Sequence, residues 1–162
     1  MRKYPDNSLL IMLTDRIVGT TRDLEAPYPV LYVEKENLIE LLRLLQADER
    51  LDFNRLPNVT SVDWKTYFEM VYTFYSVRND HWLTVKVKLD HDDPIVPSVT
   101  KVYPSAEFEE REIYDLMGID FEGHPDKRRI LLADDFEGHP LRKDYVQKHK
   151  PFVQRVKRNG GC

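Results

Sequence analysis

Residues 68–89 read FEMVYTFYSVRNDHWLTVKVKL, and this stretch decides the fold class. Phe68, Met70, Tyr72 and Phe74 alternate with Val71, Thr73 and Tyr75, the period-two pattern of a β-strand. Both sets are largely apolar, which predicts a central strand over Phe68 to Val77. From Trp82 to Leu89 the pattern changes. Leu83, Val85, Val87 and Leu89 alternate with Thr84, Lys86 and Lys88, predicting one dry and one wet face. Arg78-Asn79-Asp80-His81 reads as the hairpin loop between the two strands.

Upstream, Asn58 to Trp64 is a third strand-like run and Val30 to Val33 a short fourth. Between them, Glu34 to Ala47 reads as a helix. Leu38, Leu41, Leu42 and Leu45 recur at helical spacing, with Ile39 and Leu44 beside them. Glu34, Glu36 and Glu40 suit the positive end of its dipole. Residues 1–29 carry Pro5, Pro27 and Pro29 and one short apolar run, Leu9 to Leu13, read as a helix or strand. Downstream, Asp90 to Pro97 reads as a loop. A second helix follows Pro104, with Ser105 as N-cap, Glu107 and Glu109 in its first turn and Gly118 as its stop. Short antiparallel connections with flanking helices predict an α+β fold. The expected architecture is a small mixed or antiparallel sheet of about four strands flanked by two main helices. The expected division is an N-terminal segment 1–29 without an assigned structure, a core over 30–118, and an extended irregular docking segment over 119–162.

The chain has 162 residues, enough for one ordinary domain. Nine Tyr, seven Phe and two Trp can fill a core, which argues against global disorder. No apolar run approaches the roughly 20 residues that cross a bilayer. Leu9 to Leu13 is too short for a secretory signal, so a cytosolic protein is expected. The single cysteine, Cys162, leaves no disulfide framework and no self-ligated iron–sulfur cluster. Net charge is −4, unevenly placed. Seven of the 24 Lys and Arg lie from Arg142 onward against one acid, Asp144, so an acidic body carries a basic tail. Such asymmetry suits either docking or a solvated terminus.

On the second helix, Ala106, Ile113, Tyr114, Leu116 and Met117 gather on one side, and Glu109 and Glu110 fall among them. A carboxylate in an apolar stripe needs a partner. Two such groups read either as acid–base chemistry or as a structural ion pair with Arg111 or the 127–129 basic run. Phe108 points opposite, beside Arg111, Glu112 and Asp115. Phe-Glu-Gly-His-Pro occurs at 121–125 and again at 136–140. His124 and His139 read as turn punctuation rather than metal ligands, and His81, His91 and His149 as solvated loop or tail histidines. No phosphate loop, dinucleotide fingerprint or nucleophile elbow is present. From the residues alone, this is an α+β domain without a visible active site.

One string adds more: Ser98-Val99-Thr100, Pro104-Ser105-Ala106, Glu110-Arg111-Glu112-Ile113-Tyr114-Asp115-Leu116-Met117-Gly118-Ile119. It continues through Phe121 to Pro125, Arg128-Arg129-Ile130-Leu131, and Gly138-His139-Pro140-Leu141-Arg142-Lys143-Asp144-Tyr145. This resembles the C-type subunit of the respiratory NADH–quinone oxidoreductase, complex I. The signature elements fall at 110–112, Asp115, Leu116-Met117, His124, Arg128 and Ile130-Leu131, and the resemblance extends over residues 30–150. Phe108 departs from it, standing where the family commonly has Trp.

The resemblance implies a non-catalytic scaffold in the peripheral arm, on the cytoplasmic face of the membrane. It would pack against the D-type large subunit near the quinone site. The chain itself would bind no flavin, cluster, quinone headgroup or metal; FMN and iron–sulfur clusters would sit in partner subunits. Glu110, Arg111, Glu112, Asp115, His124, Arg128, Arg142 and Lys143 would be structural and interface residues. Glu110 and Arg111 are expected to hold segment 118–132 to the helix, and Arg142 and Lys143 to reach acids on a partner. The same type of subunit in a membrane-bound hydrogenase, formate hydrogenlyase-type or ferredoxin-using complex is the alternative.

Overall fold

The computed structural model describes residues 3–23 and 26–147. The rest of the basic tail, with His149 and Cys162, lies outside the described residues. The elements run α1 (Asn7–Arg16), β1 (Thr20–Asp23), β2 (Val30–Val33), α2 (Leu38–Ala47), β3 (Arg55–Asp63), β4 (Tyr67–Ser76), β5 (His81–Asp90), β6 (Ile95–Pro97), α3 (Glu107–Met117) and β7 (Asp120–Glu122).

Five strands form the main sheet, in the order β1-β2-β5-β4-β3. All neighbours are antiparallel except β2 and β5, so the sheet is mixed. The α+β expectation holds. The fifth strand, β1, comes from the N-terminal segment, where α1 also covers the Leu9–Leu13 run. Two changes of direction within a few residues, with Gly19 at φ +71°, hide β1 from a periodicity argument. A second sheet pairs β6 with β7 in parallel. Both strands are three residues long, too short for an alternation pattern; β6 occupies the stretch read as a loop and β7 the start of the segment read as extended and irregular.

The core lies between one face of the main sheet and the helices. Phe68, Met70, Tyr72 and Phe74 of β4 are fully buried, as are Leu38, Leu41, Leu42 and Leu45 of α2. Leu83, Val85, Val87 and Leu89 continue the layer from β5, and Leu10 and Leu13 of α1 close it. On the opposite face of β4, Val71, Thr73 and Tyr75 are only half-buried. No helix among the described residues is long and apolar enough to cross a membrane.

The start of α3 differs from expectation. Pro104–Ala106 forms a 3₁₀ turn, and α3 begins at Glu107 without a side-chain cap. The Ser105 hydroxyl instead donates to Leu56 O at 3.5 Å. The other end is as read: Gly118 ends the helix in the left-handed region, at φ +69°.

Candidate functional site: helix α3 and the segment laid along it

Helix α3 has two working faces. The inner face carries Glu110, Ile113 and Met117 into the core, continuing from Ala106 in the turn before it. The outer face is covered by the chain's own C-terminal segment. Asp115, which the helical wheel places among solvated charges, is therefore fully buried. Its Oδ2 accepts from three successive backbone amides, Ile130 N (3.1 Å), Leu131 N (2.8 Å) and Leu132 N (2.9 Å). Its Oδ1 accepts from Arg129 Nη1 at 3.2 Å. This is an amide nest closed around a carboxylate. Burial pushes the Asp115 carboxyl up, but the three amides and Arg129 outweigh it and hold the group below its ordinary value.

Arg111 takes the carbonyls of the same segment. Its Nε donates to Arg128 O (3.1 Å) and its Nη2 to Arg129 O (3.3 Å), while Nη1 lies 3.4 Å from Asp126. Asp126 is chelated by the exposed Arg128 side chain at 2.7–3.2 Å, which holds its carboxyl well below the usual range. One turn of α3 thus reads both donors and acceptors of a strand-like run that has no ladder of its own.

The end of α3 is closed in the same way. A helix leaves its last carbonyls unsatisfied. His139 Nδ1 lies 2.9 Å from Asp115 O, and Leu141 N donates to Leu116 O at 3.1 Å. Arg142 donates to Met117 O (2.6 Å) and Gly118 O (3.1 Å). Arg142, expected to reach a partner's acid, is therefore engaged within the chain. Lys143 N donates to Asp63 Oδ2 at 2.8 Å, and its ammonium lies over the Trp64 ring. These bonds fasten the segment to the end of β3.

Glu110 works on the other side, and differently from expectation. Its Oε2 accepts from Ser98 Oγ (2.6 Å) and its Oε1 from Val99 N (2.8 Å), tying α3 to the loop before it. Burial pushes its carboxyl up, more than those two bonds and His124 bring it down. His124 Nε2 is 3.8 Å from Glu110. However, His124 Nδ1 accepts from Asp126 N at 3.0 Å, which requires the neutral ring, and Nε2 faces Glu107 O at 3.1 Å. Nε2 is thus engaged with Glu107 O at hydrogen-bond distance rather than with Glu110. The buried Tyr72 hydroxyl has no hydrogen-bond partner among the described residues; burial and the nearby Glu110 charge raise its pKa far above the ordinary value.

Glu109 does not share a site with Glu110. It leans toward Val59 of β3, and burial raises its pKa. The gap beside Glu110 and His124 admits no water-sized sphere. Glu112 is exposed. His124 and His139 each hold a backbone group and are not brought together as ligands. His81 and His91 are not solvated loop histidines. His81 is buried with Nε2 2.8 Å from Leu51 O, and His91 stacks on Phe68.

A helix that directs its charged residues onto its own chain's backbone is built to hold a segment in place. Comparison with known proteins gives the chain a family. Residues 31–151 match the family described as the 30-kDa subunit of respiratory-chain NADH dehydrogenase. The NADH-quinone oxidoreductase C subunit of Moorella thermoacetica is 47% identical over 119 residues, covering 72% of this chain and 79% of that one. The Mesorhizobium japonicum protein of the same name is 40% identical over 144 residues, covering 86% and 71%. Against the Saccharopolyspora erythraea relative, 43% identical, the chain spans about half the length (47%). Among solved structures, a trypsin-resistant fragment of Nqo5 is similar at TM-score 0.64 and 29% identity, covering 74% of this chain and 96% of that one. A chain of an archaeal membrane-bound sulfane sulfur reductase is similar at TM-score 0.69 and 25% identity, covering 86% and 84%. The chain belongs to the family of the 30-kDa, or C-type, subunit of NADH-quinone oxidoreductase.

Proposed function

We propose that this chain is a non-catalytic scaffold subunit in the peripheral arm of a proton-pumping NADH:quinone oxidoreductase. It packs against a D-like large subunit near the quinone site, on the cytoplasmic face of the membrane. Electrons pass through FMN and iron–sulfur clusters held by partner subunits, and this chain supports that path by assembly. The observation that carries the reading is the segment after α3. It is ordered by hydrogen bonds to α3, yet it presents Leu131 at 60% and Leu141 at 58% exposure, with Phe108 on α3 at 62%. Large apolar side chains displayed from a polar strap suit a surface completed by another subunit.

The trypsin-resistant fragment known for the Nqo5 relative supports a division into a sturdy body and a more accessible extension. A second reading has one specific support. The likeness to the sulfane sulfur reductase chain favours the same scaffold role in a related membrane complex, such as a membrane-bound hydrogenase, formate hydrogenlyase-type or ferredoxin-using assembly. Isolation of the native complex from membranes through a tag on this chain, with its subunits identified, tests both. A D-like subunit together with flavin- and cluster-bearing subunits is expected. A nickel-site large subunit would move the assignment to the second reading, and a chain recovered alone would contradict both.

A further inference from the structure

We propose that Asp63, His91 and Asp144 form a binding site for one divalent cation of the zinc class, which pins the C-terminal segment to the end of the main sheet. The inference goes beyond the scaffold reading and does not depend on it. Asp63 is the last residue of β3, His91 follows the last residue of β5, and Asp144 belongs to the segment after α3. Each offers one ligand atom, and the three atoms lie within 4.8 Å of one another.

The geometry favours a cation over a simple polar cluster. His91 Nε2 is shielded from solvent and has no hydrogen-bond partner among the described residues. It lies 3.6 Å from Asp63 Oδ1. That is too long for a hydrogen bond. It matches the separation of about 3.3–3.6 Å expected between two ligands of a tetrahedral ion with bonds of about 2.0–2.2 Å. A parallel stack on Phe68, with centroids 4.7 Å apart at 7°, fixes the direction of the His91 ring.

Asp63 is oriented by bonds from outside the triad. Its Oδ1 accepts from Lys65 N (2.6 Å) and its Oδ2 from Lys143 N (2.8 Å), the outer-sphere support that metal-binding carboxylates use. The neighbouring cations are turned elsewhere: Arg142 to carbonyls of α3, Lys143 to the Trp64 ring. Two carboxylates and one neutral imidazole suit a borderline divalent ion such as Zn²⁺. A protonated His91 would also draw both carboxylates, and saturable uptake of one ion per chain separates the two arrangements.

The test uses the full chain, stripped of metal with a chelator and exchanged into chelator-free buffer. Zn²⁺ is titrated by calorimetry and Co²⁺ by visible absorption, against His91→Ala, Asp144→Ala and Cys162→Ser. One ion per chain is expected, with affinity unchanged in Cys162→Ser and at least about tenfold weaker in each of the other two variants. Asp144 is exposed, so its replacement leaves the core intact and keeps the result readable even if His91→Ala folds poorly. Absence of saturable binding in the unmodified chain, or binding that survives Asp144→Ala undiminished, would overturn the proposal.

Discussion

The body of the molecule and the segment after α3 are held by different physics. In the body, Phe68, Tyr72, Phe74 and the α2 leucines bury large apolar surface between sheet and helices. Area sets that stability, and many residues share it. In the segment, order comes from a few polar hooks: Asp115 on three amides, Arg111 on two carbonyls, Arg142 on the end of α3, and Asp63 on Lys143 N. A core shares its stability over many packed residues and unfolds as one cooperative unit. A strap held by a few groups is lost locally when one of them goes.

The largest effect should follow an insult to the body. Phe74→Ala removes a fully buried ring and is expected to cost about 3–5 kcal/mol, read as a shift of the urea midpoint. Asp115→Ala should instead act on the segment. A loss of about 1–3 kcal/mol is expected. Amide exchange of residues 130–132 should accelerate, and trypsin should cut faster after Arg128 or Arg129, while the β4 and β5 amides keep their protection. If β4 and β5 lost protection equally, body and strap would be one cooperative unit and the contrast would fail.

Glu110, buried in the body, gives the body a pH dependence of its own. Its folded-state carboxyl lies above its ordinary value. The native state therefore binds more protons than the unfolded state between those two values. Stability should fall as pH rises through that window. Glu110→Gln should flatten that slope in thermal melts taken from pH 4 upward; an unchanged slope would mean another group is responsible. Asp115, held below its ordinary value, has the opposite sign: its contribution is present at neutral pH and lost on acidification. The smallest effect on the isolated chain is expected from Phe108→Ala, within about 0.5 kcal/mol, because the ring is exposed. The same variant should weaken capture of the large partner.

Much of the body was legible because alternation along residues 68–89 and leucine spacing over 38–45 are long-range patterns. β1, β6 and β7 were not: β6 and β7 are three residues long, and β1, Thr-Thr-Arg-Asp, lacks the apolar run that marks the equally short β2. In the site, Glu110 stood out as a charge in an apolar stripe, but its partners did not; Arg111 was expected to hold segment 118–132 and does so through two of its carbonyls. Glu110 ties to Ser98 and Val99 rather than to a cation. Asp115 sits on the charged side of the wheel, and its burial depends on a segment that begins a dozen residues later. A sequence shows such an anchor only as a charge, since the groups it holds are backbone amides, present all along the chain. The Asp63–His91–Asp144 convergence is equally silent, its members being 28 and 53 positions apart.

In the proposed role this chain acts through assembly, with its strap as the assembling part. Membranes carrying Asp115→Ala test it most directly, by quantifying assembled complex on native gels alongside NADH-driven quinone reduction. The amount of complex should fall, and activity should fall in proportion, leaving turnover per assembled complex unchanged. Full assembly with lost turnover would contradict the scaffold role and assign α3 a part in the reaction itself.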